Sequence, residues 1–269
     1  MPKVKNVVAA LPEPENIDIE GLRESIVRGD VDLVCVLGPT ASGKTKYAIW
    51  LAGELGGCEI LSADSRQVYR GMDIGTGKDL GEYGNVPYHL IDIAEPGTQY
   101  NVHRFQEDFN AALADIRSRG AFPILCGGTG LYISAVTGGY NFMDRKPLSS
   151  PRDGSQEAAA AVALARTYFI GTLVSREERN TRIDRRLDAR LQEGMIDEIR
   201  GLLERGVPSS ALISYGLEYK YVTLYLMGEM DYAAMRERLA VAIHQFAKRQ
   251  MTWFRGMERS GIRIHWTLV

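Results

Sequence analysis

The chain has 269 residues, 45% of them hydrophobic and 25% charged, a composition that excludes a disordered or fibrous protein and fits one α/β core with room for a lobe. The net charge is −2, but acidic residues outnumber basic ones up to residue 130 and the balance reverses after it. This skew fits a polyanionic partner on the C-terminal side about as well as a solvated helix face.

Cysteine usage and hydropathy indicate the compartment. The three cysteines, Cys35, Cys58 and Cys126, lie far apart in apolar stretches, which predicts buried free thiols rather than disulfides or a zinc site. No apolar run approaches the roughly 18 residues of a membrane span, and the N-terminus lacks the order of a secretion signal. We therefore expect a cytoplasmic monomer with no membrane contact.

The first half of the chain alternates strand and helix signals. An N-terminal extension, residues 1–30, ends in a short predicted helix over 19–28. Apolar runs bounded by glycine predict buried strands, and amphipathic stretches between them predict helices. The strands are expected at 32–37, 59–63, 88–93 and 122–126, and the helices at 44–55 and 104–119. This alternation predicts a parallel, doubly wound sheet flanked by helices.

Residues 139–167 interrupt the alternation with glycines, prolines, serines and an alanine run, a composition typical of a linker or the base of a lobe. We therefore divide the core into 31–138 and 168–269.

The second core segment begins with a predicted strand over 168–174. Ser175 and Glu178 then form a capping box, which predicts one long helix to about residue 205. A last helix over 232–258 and a short strand near 262–266 complete the chain.

The clearest motif follows the first strand and reads Gly38, Pro39, Thr40, Ala41, Ser42, Gly43, Lys44 and Thr45. This is the phosphate-loop pattern, with the strand before it and the helix after it that the pattern requires. Its glycines let backbone N–H groups surround an anion, Lys44 supplies a point charge and Thr45 can ligate Mg²⁺. A plain surface loop would explain the motif and its context poorly.

A polar segment, Asp64 to Gln67, ends the second strand. In a doubly wound sheet this end faces the same crevice as the phosphate loop. Asp64 could hold Mg²⁺ or accept a proton from a nucleophile, although capping a turn is the structural alternative. Gly127 to Gly130 ends the fourth strand at the same edge, where small residues either admit a flat base or simply form a tight turn.

Two helices carry clustered basic residues. On the predicted long helix Arg179, Arg182, Arg186 and Arg190 share one face, from which one or two could bind a diphosphate while the others are solvated. The last helix places basic residues beside aromatic ones, which suits RNA, although aromatics at helical spacing are more often core. They are Lys248, Arg249 and Arg255 beside Phe246, Trp253 and Phe254.

Together these segments resemble the tRNA dimethylallyltransferase (tRNA isopentenyltransferase) family, which includes adenylate isopentenyltransferases. The matching segments are GPTASGKT at 38–45, ADSRQVYRGMDIGTGK at 63–78, PYHLIDI at 87–93, GGTGLYI at 127–133, RIDRRLDARLQEGMIDEI at 182–199 and AKRQMTWFR at 247–255. The resemblance implies a P-loop NTPase-like sheet with a helical insertion. It also implies that the phosphate loop holds the diphosphate of dimethylallyl diphosphate with Mg²⁺, and that no nucleotide is hydrolysed.

The resemblance further implies roles for single residues. Asp64 corresponds to the general base that takes a proton from the adenine amine. Thr40 corresponds to a loop threonine near the donor, and Arg186 to the arginine that neutralises diphosphate charge. The substrate-binding positions implied in this way are Ser65, Arg66 and Gln67, which hold the flipped adenine, and Thr129, which contacts tRNA.

One departure from the family concerns the grip on RNA. Residues 139–167 stand where the family carries a larger helical insertion that holds the anticodon stem-loop, and the later glycine–tyrosine segment is altered at 214–220. The resemblance implies dimethylallyl transfer to N6 of adenosine next to the anticodon of tRNA, with a weakened grip. A free adenylate (AMP, ADP or ATP) as acceptor is the alternative that the short insertion favours. A small-molecule kinase and a non-enzymatic RNA-binding remnant are further alternatives.

Overall fold

Six parallel strands form one sheet in the computed structural model, which describes residues 11–138 and 166–269. The strand order is β3-β2-β4-β1-β5-β6. The strands are β1 (Leu33–Leu37), β2 (Cys58–Ser62), β3 (Tyr88–His89), β4 (Phe122–Gly127), β5 (Thr167–Leu173) and β6 (Ile264–Leu268). The sheet and the helices on both its faces confirm the predicted α/β class.

Strand β1 explains why the sheet needs cover on both faces. It pairs with β4 on one side and β5 on the other, and all five of its residues are buried. Alternate side chains enter different clusters, so that Leu33 and Cys35 face one layer of helices while Val34 and Val36 face the other. A continuous apolar run is what a strand buried on both faces requires.

The helices of the described residues are α1 (Ile19–Val27), α2 (Lys44–Leu55), α3 (Val102–Ser118), α4 (Gly130–Val136), α5 (Arg176–Gln192), α6 (Met195–Glu204), α7 (Ser209–Tyr215), α8 (Leu217–Leu226) and α9 (Tyr232–Arg259), with a 3-10 helix at Leu80–Tyr83. One face of the sheet packs against α1 and α2 through Leu22 and Leu51. The other packs against α3, α4 and the end of α9 through Phe109, Ile133 and Phe254.

Helices α5 to α8 and the first half of α9 form a separate hydrophobic cluster. It contains Ile183, Ile199 and Val222, together with Val68 and Met72 from the segment after β2. This helical layer therefore stands beside the C-terminal ends of the strands. No helix in the described ranges is long and apolar enough to cross a membrane.

The N-terminal extension packs against the core from residue 11 onward. The Glu15 backbone N–H donates to the Trp266 carbonyl oxygen at 2.7 Å, and Leu22 of α1 is buried. The predicted insertion, residues 139–167, lies almost wholly outside the described residues.

Two predicted elements are wrong in extent. The long helix expected to run to residue 205 breaks at Gly194, whose φ of +102° is left-handed, so α5 and α6 are separate helices. The third strand stops at His89 rather than residue 93, because Leu90 and Asp92 also take positive φ. In both cases a left-handed backbone conformation turns the chain where the side-chain pattern continues.

Gly194→Ala should lower the free energy of unfolding by about 1–2 kcal/mol, because a side chain costs that much in the left-handed region. An added Cβ there has no neighbour within 4 Å, so the loss would come from the backbone alone. The matched control is Gly53→Ala inside α2, which also lacks neighbours and should gain about 0.5–1 kcal/mol. Urea unfolding of both variants measures this, and an unchanged midpoint for Gly194→Ala would contradict the proposed strain.

Candidate active site

Two joined cavities open at the C-terminal ends of β1, β2 and β4. The large cavity has a volume of about 450 Å³ and the small cavity about 70 Å³. Both are lined by Thr40, Asp64, Thr76, Gly77 and Arg186, so they are two compartments of one site. This is the crevice in which doubly wound sheets bind ligands.

The phosphate loop is fixed to the sheet by its inward-facing residues. Ser42 is buried, and its hydroxyl lies 2.6 Å from the Thr172 hydroxyl on β5. A Cβ on Gly38 would come within 2.2 Å of that same Thr172 oxygen, so only glycine fits there. Ala41 and Gly43 take left-handed φ of +61° and +83°, which curl the loop into the start of α2.

The outward-facing loop residues line the cavities. Thr40, Lys44 and Thr45 line the small cavity, and Ala41 lines the large one. Pro39 is buried, and its carbonyl oxygen lies 3.5 Å from the Lys44 ammonium. The loop therefore presents a cation, two hydroxyls and the N-terminal end of α2 to the small cavity, a combination that suits an anion.

Arg186 places a second cation beside Lys44. Its Nη2 donates to the Gly77 carbonyl oxygen at 3.3 Å, and a Cβ on Gly77 would lie 1.7 Å from this nitrogen. Burial lowers the pKa of Lys44, with Arg186 contributing in the same direction and Cys126 and Asp64 opposing. Two neighbouring cations thus face one confined space.

The other arginines on this face of α5 have different surroundings. Arg190 also lines the large cavity and is paired with Asp79, whose carboxylate lies 3.8 Å from the Arg186 guanidinium as well. Arg182 forms an exposed ion pair with Glu178, and Arg179 is buried. Arg186 and Arg190 therefore line the site and Arg182 is solvated, but the expectation of a solvated side chain is wrong for Arg179.

Asp64 stands at the junction of the two cavities and shares the small cavity with Lys44. Its Oδ1 accepts a hydrogen bond from the Arg66 backbone N–H at 2.9 Å. The turn-capping contact is therefore present, and the carboxylate still lines both cavities. A single group can serve the turn and face a ligand.

The segment after Asp64 divides between the two cavities. Ser65, Arg66 and Thr129 line the large cavity, and the Ser65 N–H donates to the Thr129 hydroxyl at 3.1 Å. Gln67 instead lines the small cavity, where it accepts from the Ser62 hydroxyl at 3.0 Å and donates to the Gly77 carbonyl oxygen at 3.2 Å. Gln67 therefore supports the loop at Gly77, which Arg186 also contacts. This position differs from the expected one against an acceptor base.

The glycines at the end of β4 and directly after it allow close packing. A Cβ on Gly127 would lie 2.3 Å from the Ala63 carbonyl oxygen, and one on Gly130 would lie 2.3 Å from Trp253. Helix α4 begins directly at Gly130.

Gln250 joins the phosphate loop to this glycine segment, a contact the sequence analysis missed. Its Oε1 accepts from the Thr40 N–H at 2.8 Å, and its Nε2 donates to the Gly128 carbonyl oxygen at 2.9 Å. The sequence does contain a signal for this contact, because Gln250 lies on the apolar face of α9 at helical spacing from Ala247 and Phe254. A buried amide at such a position needs polar partners.

Glu198 of α6 fixes the 73–77 loop and was also missed. Its carboxylate accepts the backbone N–H groups of Asp73 and Ile74 at 2.7 Å each and of Gly75 at 3.1 Å. It also accepts from the Tyr219 hydroxyl at 2.6 Å. Buried Lys78 holds the far end of the loop through the Tyr69 carbonyl oxygen at 2.7 Å. The 73–77 loop, which lines both cavities, is therefore held at both ends.

The large cavity has an acidic group and an aromatic rim. Glu218, from the altered 214–220 segment, lines it, and burial raises the pKa of this carboxyl. Phe246, Arg249 and Trp253 of α9 line the same cavity, with the Arg249 guanidinium 5.7 Å from the Phe246 ring centre. The cavity can therefore receive a flat, polar group next to a cation.

Comparison with known proteins identifies similar sequences over most of the chain. The sequence profile described as IPP transferase matches residues 67–163 and 144–257. The tRNA dimethylallyltransferase 1 of Parabacteroides distasonis is 47% identical over 282 aligned residues, covering 87% of this chain and 92% of the relative. The protein of the same name in Porphyromonas gingivalis is 47% identical over 281 residues, covering 87% of this chain and 93% of the relative.

A solved structure shares the fold. The full-length tRNA isopentenylpyrophosphate transferase of Bacillus halodurans matches with a TM-score of 0.72 and 32% identity, covering 88% of this chain and 89% of that one.

Gln250→Ala should lower the free energy of unfolding by about 2 kcal/mol or more, because it leaves the Thr40 N–H and the Gly128 carbonyl without partners. Gln192→Ala, at the exposed end of α5, is the matched control and should change it by less than about 0.5 kcal/mol. Denaturant unfolding of both variants compares the two effects. Equal stability of the two variants would show that Gln250 does not hold the loop.

Proposed function

The chain belongs to the IPP transferase family of tRNA dimethylallyltransferases, and we propose that it moves a dimethylallyl group from dimethylallyl diphosphate to the N6 amine of adenosine next to the anticodon in tRNA. One observation carries the proposal: Asp64 stands where a small cationic cavity meets a large one. The diphosphate donor and the adenine acceptor need this arrangement. The adenine amine must meet the allylic carbon next to a carboxylate that can accept its proton.

The small cavity supplies the donor site. Lys44, Arg186 and the start of α2 surround it with positive charge, and Thr40 adds a hydroxyl. Negative charge grows on the diphosphate as its C–O bond to the allylic carbon breaks. Cations already in position stabilise that charge without reorganisation.

Mg²⁺ fits this site as an ion shared with the substrate. In the part of the chain that the structure describes, no three His, Cys, Asp or Glu side chains converge on a metal position. Mg²⁺ commonly binds one or two protein oxygens together with phosphate oxygens. The Thr45 hydroxyl in the small cavity would supply such a ligand, and the bound ion would neutralise diphosphate charge.

The large cavity supplies the acceptor site. A base flipped out of the anticodon loop could enter it, with Ser65, Arg66 and Thr129 along its wall. The amine nitrogen forms a bond to the allylic carbon as diphosphate leaves, and the proton lost by nitrogen passes to Asp64. Asp64 must therefore face both substrates, as a group at the junction can.

The acceptor is RNA rather than a free adenylate in our proposal. The curated relatives are named for tRNA, and the aromatic and cationic rim of Phe246, Arg249 and Trp253 suits stacking with neighbouring bases. The grip on tRNA is weaker in our proposal than in those relatives. The alignment with the Parabacteroides distasonis protein spans 282 positions, whereas the whole chain has 269 residues. That relative therefore carries residues with no counterpart here.

We also propose that the reaction takes place in the cytoplasm. Cys35, Cys58 and Cys126 are all free and buried. Burial raises the pKa of the Cys58 and Cys126 thiols to about 11, which keeps them protonated and unreactive.

Purified protein incubated with labelled dimethylallyl diphosphate, Mg²⁺ and either bulk tRNA or AMP tests the proposed acceptor. We expect label in tRNA and none on AMP, with the labelled nucleoside co-migrating with N6-dimethylallyladenosine after digestion. Label on AMP alone would establish an adenylate transferase instead. ATP consumption without prenyl transfer would indicate a kinase.

Asp64→Asn should reduce turnover by about 10²–10⁴-fold, because the amide cannot accept the amine proton. Donor binding should change little, since the amide oxygen can still accept from the Arg66 N–H. Asp115→Asn on the exposed face of α3 serves as the matched control and should retain full turnover. Single-turnover assays with tRNA measure the loss, and near-normal turnover by Asp64→Asn would remove its role as base.

A further inference from the structure

Tyr83 is a buried tyrosine that takes no part in the mechanism proposed above. It ends the 3-10 helix Leu80–Tyr83 and is only 3% exposed. Its ring packs in the hydrophobic cluster that includes Ala48 of α2, and it lies 4.8 Å from the ring centre of Tyr88. Lys46 and Glu82, 3.4 Å apart, join the 3-10 helix to α2. The ring is therefore held against the first half of α2, which follows the phosphate loop.

The polar end of Tyr83 is the unusual feature. Tyr83 lines the small cavity together with Lys44, Thr45 and Arg186. Within residues 11–138 and 166–269, the Tyr83 carbonyl oxygen accepts from the Val86 N–H at 2.9 Å and the ring makes the contacts described above, but no hydrogen bond to the hydroxyl is formed. This hydroxyl is not among the buried unpartnered side-chain atoms of the described residues, so it is open to the small cavity that Tyr83 lines. A hydroxyl at a cavity wall that forms no hydrogen bond within the described residues is available to bind a ligand there.

The chemistry of the surroundings indicates which ligand. Burial raises the pKa of Tyr83 far above its usual value, and Cys126 and Asp64 act in the same direction. The hydroxyl therefore stays protonated and can donate a hydrogen bond. Lys44 and Arg186 line the same cavity and attract anions. The hydrogen-bond acceptor for the Tyr83 hydroxyl is therefore expected to be an anionic oxygen.

We propose that the Tyr83 hydroxyl binds the diphosphate group in the small cavity, donating a hydrogen bond to one of its oxygens. This inference rests on the proposed function, since it assigns the diphosphate to the small cavity. Tyr83 gives up no proton in the reaction. Its hydrogen bond strengthens as charge accumulates on the leaving diphosphate, so it should assist departure as well as binding.

Inorganic pyrophosphate with Mg²⁺ is the probe, because it occupies the leaving-group site without requiring prenyl transfer. Isothermal titration calorimetry on the full chain would compare the wild type with Tyr83→Phe, Tyr88→Phe and Lys44→Ala. Tyr83→Phe should bind about tenfold more weakly, the loss expected for one hydrogen bond to a charged group. Tyr88→Phe is the matched control, since it removes a hydroxyl from the adjoining ring, and should bind like the wild type.

Three outcomes are informative. Wild-type affinity in Tyr83→Phe, with weaker binding in Lys44→Ala, would overturn the role of Tyr83 and leave the donor site in place. Unchanged affinity in both variants, or no binding by the wild type, would overturn the donor site itself and this inference with it. Equal weakening in Tyr83→Phe and Tyr88→Phe would show a general packing effect and also overturn the inference.

Unfolding without ligand provides a second readout. Because the hydroxyl lacks a partner in the free protein, Tyr83→Phe should unfold at a denaturant midpoint no lower than that of the wild type. Added pyrophosphate should raise the midpoint of the wild type more than that of the variant. A lower midpoint without ligand would mean that the hydroxyl is already bonded within the protein, which would contradict the inference.

Discussion

The position of the phosphate loop depends on hydrogen bonds that join it to two separate parts of the sheet edge. The Ser42 hydroxyl contacts Thr172 on β5, while the Thr40 N–H donates to Gln250, whose amide also holds the carbonyl of Gly128 after β4. A loop that presents backbone N–H groups to an anion has few internal contacts of its own. These two connections supply the rigidity that an anion-binding loop needs before its ligand arrives.

The same constraint explains why the helical layer matters to the site. Arg186 and Glu198 come from α5 and α6, yet both act on the 73–77 loop after β2. Arg186 can approach only because Gly77 has no side chain, and Glu198 holds the three N–H groups just before it. The second cation therefore reaches the small cavity through packing between the helical layer and the sheet, and loss of that packing would separate Arg186 from Lys44.

Much of this arrangement could be predicted from residue pattern. The buried run of β1, the phosphate-loop spacing and the rule that parallel strands bind ligands at their C-terminal ends together predicted that Lys44 and Asp64 would share a crevice. Gln250, Glu198 and Tyr83 could not be found in this way. Each acts through contacts with residues distant in sequence, so its surroundings in the chain resemble those of an ordinary helix or turn residue.

The sequence by itself determined the α/β class, the phosphate loop and the family, because these depend on local spacing and on apolar periodicity. The tertiary structure alone decided the strand order, the break at Gly194, the position of Gln67 in the small cavity and the partners of Gln250. Strand order and long-range hydrogen bonds follow from how whole layers pack. A left-handed φ follows from the direction the chain must take, as at Leu90 and Asp92. Neither is encoded in the spacing of neighbouring side chains.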